Sequence, residues 1–381
     1  MSERYVGAWE QAGLFNPLNA PTPSYTYNLY SWGYNVQGEL GLSNTTNYSS
    51  PKQVGSLSNW SKVATANLMT LAVKTDGTLW SWGFNQFGQL GNGNTTKYSS
   101  PIQVGALTNW STIACANAVG YGIKTDGTLW SWGSGSFGQL GLGNSTSYSS
   151  PKQVGALTNW LKISGGYFFA AAVKTDGTLW AWGRNNGGQL GQGNTTTYSS
   201  PKQIGALNTW AGVKALRQST FGIKTDGTLW AWGANTNGML GLNSATTYYS
   251  SPKQVGALTN WSNVSASTYF ASFAIKTDGS LWSWGNNSYG QLGLNNTTSY
   301  SSPKQVGSLT NWSIISGGFY NTLAIKTDGT LWAWGANSQG QLGLGNTISY
   351  SSPVQVGSLT SWISISNTGS THYYSIAIAN F

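Results

Sequence analysis

Side chains able to do chemistry are scarce in this chain, and their placement says more than their number. There is one histidine, His372, and one cysteine, Cys115, in 381 residues. A lone imidazole and a lone thiol leave no set for a Ser-His-Asp relay, no raw material for a zinc or other transition-metal site, and no internal disulfide. Of the nine acidic residues, six (Asp76, Asp126, Asp176, Asp226, Asp278 and Asp328) sit in a recurring Lys-Thr-Asp-Gly, where Asp is favoured for backbone reasons in a turn. Paired carboxylates of the kind glycoside hydrolysis needs are missing, as is a phosphate-cradling P-loop. The expectation is a protein that is not an enzyme and carries neither cofactor nor metal.

The charge balance is +9, with only 7% of residues charged. The lysines of the same motif (Lys74, Lys124, Lys174, Lys224, Lys276 and Lys326) offset its six aspartates, so the excess comes from the remaining cations against Glu3, Glu10 and Glu39. Five of those cations follow a proline: Lys52, Lys152, Lys202, Lys253 and Lys304. Such a basic ring is a candidate attractor for a polyanion, but solubilising charge is the preferred reading, and nucleic acid is not the expected partner. No apolar run approaches the roughly 18 residues of a helical span, so membrane insertion is not expected. The first twenty residues lack the basic start and continuous apolar stretch of a Sec-type leader.

The elements that carry these residues are announced by a repeat. Leu-Trp-Ser/Ala-Trp-Gly recurs with its second Trp at Trp32, Trp82, Trp132, Trp182, Trp232, Trp284 and Trp334, in steps of 50 residues with one of 52; the first copy has Tyr30 for its first Trp. A fixed period of this length marks units that hide their apolar faces only against one another. Within one unit, residues 60–66 and 69–74 read as strands, Asp76-Gly77 as a hairpin turn, and 78–82 as a third strand. A Gly- and Asn-punctuated loop follows, then a short outer strand over 101–104 with proline at its start, which fits a sheet edge. The chain opens with the third and fourth strands of a unit (29–33, 51–54) and ends with the first and second (362–366, 374–379). The expected fold is therefore all-β: a seven-bladed β-propeller of four-stranded antiparallel blades over residues 25–381, closed by strands from both termini. Three Trp per unit, such as Trp60, Trp80 and Trp82, are expected to fill the space between blades.

The string Trp-Gly-x-Asn-x-x-Gly-Gln-Leu-Gly, then Pro-x-Gln-Val, then Asp-Gly-x-Leu-Trp-x-Trp-Gly, resembles the regulator of chromosome condensation repeat family over about residues 25–381. The resemblance implies the propeller fold and a range of binding roles, among them guanine-nucleotide exchange, ubiquitin-ligase targeting and receptor functions. Where that family commonly carries His, seven residues before the Asp-Gly turn, this chain has Met69, Val119, Phe169, Ser219, Ala271 and Asn321. It also lacks the inserted β-wedge that the exchange-competent member projects from a blade.

Copies of the unit differ at two places: the junction between first and second strands, and the start of the loop after the third. In a four-stranded antiparallel blade both lie on one face of the disc. Tyr167, Phe168, Arg217, Tyr269, Phe270, Phe319, Tyr320 and Tyr373 occupy the junctions; Phe87, Phe137, Arg184 and Tyr289 occupy the loops. Variation on a constant scaffold, rich in aromatic and Arg side chains, marks a candidate ligand-binding face. Residues 1–24 form a Pro-punctuated arm outside the repeat, with Trp9, Leu14 and Phe15 as candidate docking residues. The reading that follows is a structural and binding propeller, a phage virion-associated tail or capsid protein assembled in the host cytoplasm. It attaches to other virion proteins through the arm and presents its face to a host envelope glycan or protein. The alternative is a guanine-nucleotide exchange factor or intracellular interaction scaffold, located in the bacterial cytoplasm or at the cell surface.

Overall fold

Short β-prone runs separated by Gly-, Asn- and Asp-rich turns cannot bury themselves singly, and here they pair into seven four-stranded antiparallel sheets. The computed structural model describes residues 26–244, 246–267, 269–367 and 373–381. Strands are numbered β1 to β28 along the chain. The first continuous blade consists of β3 (Trp60–Ala66), β4 (Met69–Lys74), β5 (Leu79–Gly83) and β6 (Tyr98–Gln103), and five further blades repeat it. The last sheet joins β1 (Tyr27–Gly33) and β2 (Tyr48–Gln53) to β27 (Trp362–Ser366) and β28 (Tyr374–Asn380), in the order β2-β1-β28-β27. Its central pairing runs without a break from Tyr27 opposite Asn380 to Gly33 opposite Tyr374. The expected closure by both termini is thus what the chain adopts.

The outer strand differs from expectation. It begins at Tyr98 rather than at proline, and Pro101 lies inside it. Pairing with β5 is irregular between Ser81 and Gly83, and proline is tolerated because this strand forms the sheet edge, where its missing N–H faces no partner.

The invariant residues hold the blades together. The second Trp of each copy is fully buried, and its indole Nε1 donates to a main-chain carbonyl of the preceding blade at 2.8–3.0 Å. The acceptors run from Glu39 for Trp82 round to Gln341 for Trp32, so the set closes on itself. The glycine two residues after each acceptor lies against that indole. A Cβ on Gly91 (φ +77°) would sit 2.7 Å from Trp132 Nε1. At the hairpin turn, Asp76 Oδ1 accepts from Thr78 N and Oγ1 at 2.9 and 2.7 Å, and Thr78 Oγ1 accepts from Trp80 Nε1 at 2.9 Å. The bonds from Thr78 hold the Asp76 carboxyl below its ordinary range.

The motif lysines do not simply pair with these aspartates. Lys124 Nζ lies 3.7 Å from the Trp130 ring and 5.1 Å from that of Trp110, and Lys74, Lys174, Lys224, Lys276 and Lys326 are placed in the same way. Each is a cation held between two indoles of its own blade. The closing blade alone departs from this, with Ala379 opposite Trp362 where the other blades set lysine opposite tryptophan.

At one buried position the copies are not uniform. Five carry Gln (Gln89, Gln139, Gln189, Gln291 and Gln341), one Met239 and one the ionisable Glu39. Glu39 Oε2 accepts from Gln37 N at 2.7 Å, but Oε1 has no partner. Burial pushes its carboxyl up to about 7. A raised acid pKa means that the native state holds the proton more tightly than the unfolded chain, so stability falls as pH rises from about 4.5 to about 7. Glu39→Gln should therefore stabilise the protein at pH 8 by at most about 3 kcal/mol and leave the melt at pH 4 unchanged. Melting curves at the two pH values check this, and an equal gain at both would contradict it.

Candidate functional site

The two variable segments of each blade are tied together by the backbone. The residue after the third strand donates to the carbonyl of the residue just before the second strand: Phe84 to Leu68 at 2.8 Å, Arg184 to Phe168 at 2.9 Å, Asn286 to Phe270 at 2.9 Å, and Tyr34 to Tyr373 at 2.8 Å. The opposite face is fastened by the Asp-Gly turn, as where Trp110 N donates to the Gly77 carbonyl at 3.1 Å. The predicted residues thus emerge on one side and the near-identical turns on the other.

On the variable side, aromatic and guanidinium groups form an arc across neighbouring blades. Phe168 contacts Tyr167 and, from the preceding blade, Phe137, with ring centroids 4.4 and 4.6 Å apart. The Arg184 guanidinium lies 5.1 Å from the Phe137 ring and 5.8 Å from that of Phe168. Tyr167 N then donates to the Arg217 carbonyl at 3.1 Å, leading into a larger cluster. There the Arg217 guanidinium lies 4.6 Å from Phe270 and 5.6 Å from Tyr269. Tyr269 packs on Tyr320 at 4.3 Å and on Phe319 at 5.2 Å, Tyr289 on Tyr320 at 4.4 Å, and Tyr373 on Phe319 at 5.4 Å.

Chemistry and backbone both mark this arc. Burial and the neighbouring phenols, including a hydrogen bond with Tyr269, hold the Tyr320 hydroxyl well above the usual phenol range. Tyr373 is raised by burial and then by Tyr289 and Tyr269. Arg217 (φ +40°) and Phe270 (φ +65°) adopt the left-handed region, which is costly for side chains of this size and is found where surrounding contacts enforce it. Their stacking on one another is such a contact.

Other predicted residues stand apart. Phe87 is 46% exposed and makes no ring contact with another aromatic side chain among the described residues. Lys52, Lys152, Lys202, Lys253 and Lys304 lie on the outermost strands, each 5.5–6.0 Å from the ring of a tyrosine on its own strand (Tyr48, Tyr148, Tyr198, Tyr249 and Tyr300). They are spread round the perimeter of the disc instead of gathering on a face. Trp9, Leu14, Phe15 and His372 lie outside the described residues. The six positions where His was absent are all buried. Among the described residues no three His, Cys, Asp or Glu side chains gather to hold a metal, and no helix is long and apolar enough to cross a membrane. Sequence reasoning did not single out the axial channel, a cavity of about 350 Å³ walled by the innermost strands, or Lys214 within it.

A closed disc of seven four-stranded blades with a variable face built on strand junctions defines a repeat propeller. The model of the RCC1-like domain matches residues 26–271, and models of the regulator of chromosome condensation (RCC1) repeat match 278–325 and 328–374 and, in a second version, 261–291 and 312–341. The chain belongs to the RCC1 repeat family. Similar solved structures include yeast RCC1 (Prp20) bound to Kap60, with 18% identity and a TM-score of 0.82 over 93% of this chain and 89% of that one. Prp20p from Saccharomyces cerevisiae, described with its binding properties to Gsp1p and histones, has 18% identity and a TM-score of 0.82 over 93% and 91%. Human WBSCR16 has 20% identity and a TM-score of 0.82 over 93% and 98%. At these identities the likeness is one of fold. No curated protein sequence matches the chain.

The Tyr269–Tyr320 contact should be energetically real yet peripheral to folding. A double-mutant cycle with Tyr269→Ala and Tyr320→Ala should give a coupling of about 0.5–1.5 kcal/mol by denaturant unfolding. Strict additivity of the two changes would show that the rings do not support one another.

Proposed function

We propose that this chain is a non-enzymatic binding propeller that works as a virion-associated protein. Its arm, residues 1–24 with Trp9, Leu14 and Phe15, attaches it to other virion proteins, and its aromatic arc engages a host-surface glycan or protein. The observation that carries the binding role is the arc itself: aromatic rings and two guanidinium groups collected from successive blades on one face, over a scaffold repeated almost unchanged. Rings and guanidinium groups of this kind dominate contact energy in recognition surfaces. The virion setting is supported by a rigid body made from one repeated unit, with few charges and Thr-, Ser- and Asn-rich turns.

Membership of the RCC1 repeat family favours a second reading, an intracellular scaffold or exchange factor that binds a protein on the same disc. Two assays separate them. The triple variant Tyr269→Ala, Phe319→Ala, Tyr320→Ala should lose at least tenfold in binding to host cells while keeping a near-native melt, and removal of residues 1–20 should abolish incorporation into particles. Full incorporation of the truncated protein would overturn the arm's role. A saturable acceleration of nucleotide release from a small GTPase would establish the second reading.

A further inference from the structure

One register position on the innermost strands, facing the axial channel, is held by small residues in six blades. Ala64 and Ala114 occupy two of them, and Ser164, Ser265, Ser316 and Ser366 the other four. In the remaining blade the equivalent residue, opposite Phe221, is Lys214. A long cationic side chain thus enters a space that its six counterparts leave open. One residue earlier along each strand is valine or isoleucine, as Val63, Ile113 and Val213, and these also line the channel. Lys214 thus shares the cavity wall with an apolar collar.

Among the described residues no Asp or Glu lines the channel to answer this charge. Among the described residues no hydrogen bond or ion pair reaches Lys214, and burial alone pulls its pKa below the ordinary lysine value. A partly desolvated cation without a partner is unfavourable, and a ligand that supplies the opposite charge offsets that cost; Lys214 is half-buried. The walls offer further donors: Ser265 Oγ accepts from Gly317 N at 3.3 Å, which leaves its own hydrogen available to the channel. The cavity is roomy, at about 350 Å³. It reaches the variable face, because Tyr167 and Arg217, both at strand junctions on that side, also line it. Arg217, at a strand junction, and Lys214, on the strand that precedes it, give the same cavity two cationic residues.

We propose that the axial channel is an anion site in which a carboxylate or phosphate group enters from the variable face, passes Arg217 and pairs with Lys214 Nζ. This site does not depend on the arc binding a macromolecule. The probes are inorganic phosphate and malonate, titrated calorimetrically into the full chain at constant ionic strength, with chloride as the reference salt. The wild-type protein should bind one anion and melt higher with it. Lys214→Ser, which installs the residue found in four other blades, should melt higher than wild type without anion and bind at least tenfold more weakly.

Response to phosphate alone would assign a phosphate-bearing ligand, response to malonate alone a carboxylate, and either supports the site. Equal affinity in Lys214→Ser, or no response to either anion in wild type, would overturn it. A measurement on wild type alone guards against a misfolded variant. Amine acylation mapped by mass spectrometry should show Lys214 protected by the binding anion while the perimeter lysines react unchanged, and undiminished labelling of Lys214 would refute the proposal. The arc variant with Tyr269, Phe319 and Tyr320 replaced should retain anion binding, so failure of the face reading and failure of this one remain distinguishable.

Discussion

Everything in this molecule hangs on a hydrogen bond made seven times: a buried indole N–H donating to the main-chain carbonyl of the blade before it. Each such bond is worth about 1 kcal/mol net, but an orphaned partner in the dry space between blades would cost more. The closing blade is joined to its neighbour by the same bond, from Trp32 to Gln341. The bond also dictates its surroundings. The donor must be Trp, the residue two after the acceptor must be Gly, and the large ring packs edge-on against the first Trp of the same blade, as Trp132 does on Trp110 at 5.9 Å. A sequence that satisfies these demands repeats itself, and variation is confined to positions the indoles do not touch.

The same economy explains the quiet surface. Six lysines are held over indole rings, and six aspartates are bonded into their turns, so much of the charge serves the blades rather than the exterior. The arc is different: there Arg217 and Phe270 take up left-handed backbone and stack. That conformational cost is borne on the variable face, away from the indoles that lock the blades.

The architecture was legible because period, turn chemistry and strand alternation all agree, and the terminal half-blades could be matched strand for strand. The variable face was legible for the same reason in reverse, since copies of one unit act as their own controls. Chemistry inside the blades was harder to read. Lys74 and Asp76 look like an offsetting pair two residues apart, yet one side chain turns to Trp60 and Trp80 and the other to Thr78. Only the cross-strand register, which sequence spacing does not contain, brings the lysine over the rings. Lys214 does carry a signal in the sequence: aligned with its six counterparts it is the one long side chain among Ala and Ser. Phe87 shows the limit of composition, because an aromatic residue at a variable position joins the arc only when neighbouring blades also supply rings.

The central claim is that the variable face, on a scaffold locked by the indoles, is where this protein meets its partner. Hydrogen–deuterium exchange of the full chain, free and bound to its target surface, tests this most directly. The account predicts protection at the strand junctions around Tyr167, Arg217, Tyr269 and Tyr320, with the strands carrying Trp82 and Trp132 unchanged. Protection confined to the turns around Asp76 and Asp126, on the opposite side of the disc, would contradict it.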